Sequence, residues 1–190
     1  MPTPFPGFPT PAAGPDAPLQ MLGDCHARIT RQCDTLKRLV AHVRDHGSDG
    51  QAITAAGNVM RYFDVAALLH HADEEENLFP ELRMAMAASD AVCIREIIQT
   101  LENQHRDLEN NWQRLRPDMA LIAQGQPASL DGALVEAFIS LYREHTRRED
   151  DELFPMAARL LDEQALARIG KAMADRRARP ENNDDSSHNH

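Results

Sequence analysis

From Leu19 to about His46 the apolar side chains Leu22, Ile29, Cys33, Leu36, Leu39, Val40 and Val43 recur at steps of three and four. That spacing lays one apolar stripe along a helix. Gly47-Ser48-Asp49-Gly50 then ends this helix and caps the next. A second helix is predicted from about Gln51 into the acidic segment Asp73 to Asn77. Pro80 should stop or kink it, because proline has no backbone N–H to give, and a short helical continuation reaches Ala88. Ser89-Asp90 offers a cap for a third helix from about Ala91 to Arg116, which Pro117 ends or bends before Gly125-Gln126-Pro127. The fourth helix spans about Leu130 to Asp151, and Pro155 repeats the break. A last stretch, about Met156 to Ala174, can pack on the end of the bundle through Leu160, Leu161, Leu166 and Ile169. No segment alternates with period two. The fold class is therefore all-α: a four-helix bundle over residues 19–160 with an extra C-terminal helix at 161–178.

The ends differ in character from this middle. Residues 1–18 hold seven of the twelve prolines and read as an extended, polyproline-like arm with Phe5 and Phe8 free to dock. Residues 179–190 are polar and read as a disordered tail in which His188 and His190 are incidental. Alanine and leucine are plentiful while aromatics make up 5 %, which agrees with helix. A net charge of -10 argues against nucleic acid and anionic membranes as partners. The one basic cluster, Arg176, Arg177 and Arg179, reads as a solvated helix end. The opening residues lack the basic start and apolar run of a secretory signal, so a cytoplasmic location is expected. Cys25, Cys33 and Cys93 are too few for a disulfide framework and read as reduced core or near-core residues.

An internal repeat carries the chemistry. Phe63, His70, Glu74, Leu78, Phe79 and Pro80 recur in the same spacing as Phe138, His145, Glu149, Leu153, Phe154 and Pro155. More weakly, Leu22, His26, Ile29 and Leu36 stand in register with Leu101, His105, Leu108 and Leu115. Each half is thus a helix pair. A histidine and a glutamate four residues apart lie about 40° apart around a helix, so both can point into one cavity. Two such pairs, with one histidine from each preceding helix, aim His26, His70, Glu74, His105, His145 and Glu149 at the bundle core as candidate metal ligands. Imidazoles with carboxylates suit first-row metals better than calcium or magnesium. If both glutamates bridge, each of two ions receives two histidines and two carboxylate oxygens. An oxo or hydroxo bridge then leaves one open position on a six-coordinate ion, with iron the natural occupant and manganese or zinc as substitutes. The pair His71 and Glu75 shows the same spacing one residue later, but its counterparts are Thr146 and Asp150, so only the His70 frame is filled twice.

His26, His70-Ala-Asp-Glu-Glu74, His105, His145-Arg-Arg-Glu149 and the two Leu-Phe-Pro motifs resemble the hemerythrin-like, or HHE cation-binding, family over roughly residues 19–160. The resemblance implies an up-down-up-down bundle around a di-iron centre. Members of that family bind oxygen, sense iron or oxygen, or are linked to repair of iron-sulfur centres under nitrosative stress. Oxygen carriers use five histidines, with a pair four residues apart on the third helix; here the position before His105 is Leu101, and Glu149 stands four residues after His145 where carriers place an aspartate five residues on. The pattern is closer to the symmetric four-histidine, two-glutamate sites of repair and iron-sensing proteins, although the repair proteins' N-terminal cysteine-containing domain has no counterpart.

The remaining residues receive plainer readings. His42, His46 and His71 are expected to be structural or exposed, and Asp73, Glu76, Asp151 and Glu152 to be solvated helix faces. Glu75 and Asp150 are candidates to support the ligands from behind. Phe79 and Phe154 read as plugs closing the core beside the site, and Tyr62, Trp112 and Tyr142 as core packing. Cys25 is about 100° round the helix from His26 and so is not a direct ligand. The expected function is a non-haem di-iron protein that binds, senses or scavenges oxygen, nitric oxide or peroxide. The alternatives are a di-iron oxidoreductase and an iron donor or regulatory protein, as a monomer or homodimer, with a protein partner a further option.

Overall fold

The computed structural model describes residues 17–85 and 91–178. Residues 1–16 of the proline-rich arm, with Phe5 and Phe8, the Ser89-Asp90 cap, Arg179 and the polar tail lie outside the described residues, while Pro18, assigned to the arm, is the first residue of α1, where a missing N–H costs nothing. All described elements are helical: α1 Pro18–His46, α2 Gly50–Arg61, α3 Ala67–Asp73, α4 Phe79–Ala85, α5 Ala91–Ala123, α6 Gly132–Arg148, α7 Phe154–Leu160 and α8 Glu163–Ala178. Single π turns, Tyr62–Ala66, Glu74–Leu78 and Glu149–Leu153, join α2 to α3, α3 to α4 and α6 to α7. The backbone stays helical through each junction, so residues 50–85 form one rod. No helix among the described residues is long and apolar enough to cross a membrane.

α1 packs on α2, α2 on α5, α5 on α6 and α6 back on α1, which closes a ring of four helical columns. Connections of a few residues between successive columns make neighbours antiparallel, giving the up-down-up-down order. The α1–α2 corner behaves as its residues dictate. Gly47 takes a positive φ of 69°, which a side chain would disfavour, and the Asp49 carboxylate accepts from the N–H groups of Gln51 and Ala52.

Three prolines do not break the chain where the sequence pattern places breaks. Pro80 and Pro155 sit directly after the second and third π turns, as the second residue of α4 and of α7. There the wider turn has already displaced the carbonyl with which the ring would collide, and a missing N–H matters least in a first turn. Pro117 lies inside α5, which runs on to Ala123 because Met119 and Ile122 are fully buried and hold its last turns to the bundle. The predicted single helix from Met156 to Ala174 is two. Leu161 leaves the helical region at φ -88° and ψ 130°, and Asp162 caps α8 by accepting from the Ala165 N–H at 2.8 Å. The C-terminal helix therefore begins at Glu163 and not at 161.

Two apolar clusters fill the bundle. One gathers Ile29, Leu36, Ala67, Leu108, Phe138 and Tyr142 with their neighbours; the other gathers Leu22, Leu78, Leu101, Leu153, Ile169 and Met173. The C-terminal stretch belongs to the second cluster, with Leu161 of the break and Ile169 of α8 buried and Leu160 of α7 and Leu166 of α8 packed against it, as the pattern predicts. The basic residues of α8 are not a solvated end. Arg176 and Arg177 both donate to the carboxylate of Asp73, which is fully buried, and Arg176 also reaches Asn77 at 2.9 Å and Glu76. Asp73 is thus no solvated face either: an anion enters the core there because two guanidiniums follow it. Cys25 and Cys33 are buried and free, whereas Cys93 is exposed. Burial pushes the Cys33 thiol up to about 12, so it stays protonated.

Candidate metal centre

Each column changes from one apolar cluster to the other through a polar residue. His26 lies between Leu22 and Ile29, His70 and Glu74 between Ala67 and Leu78, His105 between Leu101 and Leu108, and His145 and Glu149 between Tyr142 and Leu153. All six residues predicted from the repeat are buried, and His70, Glu74, His145 and Glu149 have no exposed surface.

Their donor atoms fall into two overlapping sets, His26, His70, Glu74 and Glu149, and His105, His145, Glu74 and Glu149. Within each set they lie within 4.8 Å of one another. Each carboxylate has one oxygen toward each set. Glu74 places Oε1 3.4 Å from His70 and Oε2 3.3 Å from His105; Glu149 places Oε2 3.1 Å from His26 and Oε1 3.3 Å from His145. Despite these approaches, all four oxygens and the Nε2 atoms of all four histidines lack a hydrogen-bond partner, as does Nδ1 of His70. Buried polar atoms are almost always satisfied, so the four oxygens and four Nε2 atoms, eight orphans in one layer, describe a shape that bound cations complete. The residues present fit a pair of such ions.

Three of the four outward nitrogens are held, His70 Nδ1 being the exception. His26 donates from Nδ1 to Asp150 Oδ1 at 2.9 Å, and His105 donates from Nδ1 to Glu75 Oε1 at 2.6 Å. His145 donates from Nδ1 to Gln104 Oε1 at 3.2 Å. These bonds leave the Nε2 atoms turned inward, where a cation would displace the protons of His26 and His105. Glu75 and Asp150 occupy the supporting positions that the sequence pattern assigns; Gln104 was not singled out by any repeat, since its counterpart is Cys25. The π turns contribute directly. A π turn closes i to i+5, and here the Phe79 N–H bonds Glu74 O and the Phe154 N–H bonds Glu149 O. Each phenylalanine is thereby brought one turn beyond its glutamate, Phe79 stacking on His105 at 6.1 Å and Phe154 on His26 at 5.4 Å between ring centroids. One acidic segment therefore grips a neighbouring column's histidine with a carboxylate behind and an aromatic face alongside, and the repeat does so twice.

Charge in the metal-free layer follows from the same contacts. Burial pushes the His26 ring down, but Asp150 and Glu149 outweigh it and lift it to about 10. His105 is likewise pushed down by burial and lifted by Glu74 and Glu75 to about 9. Burial drives His70 and His145 well below the usual imidazole range, with neighbouring histidines adding to the shift. Burial raises Glu74, and the facing charge of Glu149 raises it further. Protons on His26, His105 and Glu74 thus occupy the roles that metal cations would take over.

Of the plainer readings, Trp112 donates from Nε1 to Asp64 at 2.8 Å, and Tyr62 donates to the Cys25 carbonyl at 3.3 Å. His71 departs from expectation: it lies against the cluster, its ring stacked on His105 with centroids 4.0 Å apart. Only the single-copy character of its frame argued against it in the sequence.

A four-column helical bundle with two adjoining histidine and glutamate donor sets in its interior defines a metal-binding domain. The chain belongs to the family described as Hemerythrin HHE cation binding domain, whose model matches residues 17–157. It is also similar to a protein of Haemophilus influenzae (strain ATCC 51907 / DSM 11121 / KW20 / Rd) described as "Uncharacterized protein". The two are 34% identical over 160 residues, covering 84% of this chain and 90% of that protein.

Proposed function

We propose that the chain is a non-haem di-iron protein that binds, senses or scavenges a small oxidant or diatomic gas. In this reading His26 and His70 would hold one ion and His105 and His145 the other, with Glu74 and Glu149 each able to offer one oxygen to each. The observation that carries it is the set of eight buried, unpartnered atoms that face one another from those six residues, four carboxylate oxygens and four Nε2 nitrogens. Iron supplies one-electron chemistry and an exchangeable coordination position. The chain's own contribution is to orient the imidazoles through Asp150, Glu75 and Gln104, and to keep the layer dry between two apolar clusters. Complete burial of His70, Glu74, His145 and Glu149 limits what can reach the centre to molecules of a few atoms, which supports oxygen, nitric oxide or peroxide over a larger substrate.

Anaerobic iron titration followed by absorption spectroscopy on exposure to oxygen, peroxide and nitric oxide tests this reading. Two irons per chain, with spectral changes on one of these additions, are expected; iron well below one per chain removes it. His70→Ala and Glu149→Ala should each reduce the iron content sharply while the chain stays helical. Many turnovers of peroxide or nitric oxide per centre would move the reading from binding or sensing to an oxidoreductase.

A further inference from the structure

The two repeated acidic segments are alike inside the layer and unlike behind it. α8 lies outside residues 17–157, over which the family is recognised, and it packs on α3 and on the π turn Glu74–Leu78. Its arginines grip that turn on either side of Glu74. Arg176 donates to Asp73, to Glu76 and to Asn77 Oδ1 at 2.9 Å. Arg177 donates to Asp73 as well, while its other terminal nitrogen holds the Met173 carbonyl at 2.9 Å. One turn further on, Arg168 meets both oxygens of Glu81 at 2.8 and 2.9 Å. The second segment carries Arg148, Asp151, Glu152 and Met156 at the corresponding positions. There Arg148 pairs with Glu144 and Asp151 with Arg147, both within one helical column.

This difference bears on Glu74. Its carboxylate is fully buried and neither oxygen has a hydrogen-bond partner, so no bond inside the layer fixes the side chain before ions arrive. Its place is set by the backbone where α3 passes into the π turn. Asp73 is the adjoining residue and is itself fully buried, so its charged bonds to two guanidiniums tie that stretch of backbone to α8.

We propose that Arg176 and Arg177 are positioning residues for Glu74, so that docking of α8 and loading of the metal layer are coupled. The assignment rests on the di-metal reading above. Glu74 turns one oxygen toward His70 and the other toward His105. A clamp on Glu74 therefore acts on both ions, whereas a support behind one histidine acts on one. Coupling between two sites is reciprocal. What docked α8 adds to metal affinity, bound ions return to the docking of α8, which makes this helix the point at which the ion content is regulated from the surface.

The experiment titrates the full chain anaerobically with ferrous iron against a chelator, as the parent, as Arg176→Ala with Arg177→Ala, and as that pair with Asp73→Asn added. The triple variant separates position from stability, because it removes the buried charge that the pair strands yet leaves Glu74 unclamped. It also decides the matter if the double variant fails to fold. Urea denaturation of the metal-free chains gives the stability of each. Both binding steps should weaken about 10- to 100-fold in the two variants, and Mössbauer spectra at full loading should show both iron environments altered. In the parent, loading should slow hydrogen exchange of residues 163–178 by a similar factor, beyond any slowing in α2. Parent-like affinity in the variants, weakening of one step alone, or affinity that returns together with stability when Asp73→Asn is added would overturn the clamp. Exchange in α8 that does not respond to loading would overturn the coupling. With two irons in the parent, each of these results leaves the di-metal reading standing. Uptake of fewer than two ions by the parent would instead remove that reading and the clamp with it.

Discussion

Glu75 and Asp150 show how much of a metal centre can rest on side chains that never enter it. Each is partly exposed, yet each fixes the tautomer and tilt of one buried histidine from a different column. Losing such a support typically weakens metal binding about 10- to 100-fold. Because Glu75 holds His105 and Asp150 holds His26, the two losses should fall on different ions. Glu75→Ala is expected to weaken one of two steps in a chelator competition, Asp150→Ala the other, and the double variant both. Equal weakening of both steps by either single change would contradict the division of donors. These supports were legible in the sequence because they follow each repeated glutamate directly. Gln104 was not, since a neutral amide preceding His105 carries no periodic signal. His71 was visible as a spacing but lacked a second copy, and whether a lone histidine turns toward a core depends on packing that spacing cannot report.

Among the elements, the ligand columns could be read from the apolar period, while their joints, the run of α5 past Pro117 and the break at Leu161 could not. Prolines at 80 and 155 look like terminators in one dimension. The π turns that absorb them depend on Phe79 and Phe154 finding His105 and His26, which is a tertiary event. The docking of α8 is a stronger case of the same limit. Arg176 and Asp73 stand 103 residues apart, and both sit in charge runs that resemble solvated surface. The pairing is asymmetric in consequence. Asp73 has no exposed surface, whereas the arginine side chains retain 16 % and 32 % of theirs. Replacing both arginines by alanine strands a buried carboxylate, a change that costs about 3–5 kcal/mol. Adding Asp73→Asn to that double variant removes the stranded charge and should recover part of the loss. Urea denaturation of the three chains checks this. Equal stability of the arginine double variant and the parent would mean that α8 does not hold Asp73 in solution.

Across the whole molecule, the metal layer is the waist between two separately packed apolar cores, one formed around Phe138 and one around Leu78 and Phe79. Neither core needs an ion to exclude water, so the metal-free chain should keep its helices. What it lacks is a bound partner for the inward donor atoms at the waist, where two buried carboxylates face one another across four imidazoles and only protons stand in for cations. An ion that binds only the folded state stabilises it by about 2.7 kcal/mol at a free concentration of 100 times its Kd. For a chain of this length that corresponds to a rise in Tm of roughly 5–10 °C for each site filled. Calorimetry of chelator-treated protein should therefore show a lower transition with helical content unchanged, and stepwise addition of ferrous iron should restore it in two increments. The same titration on a His70→Ala, Glu149→Ala chain should give almost no rise. If the treated and reloaded parent melted together, the ions would be binding outside the waist, and the buried orphans would require another partner.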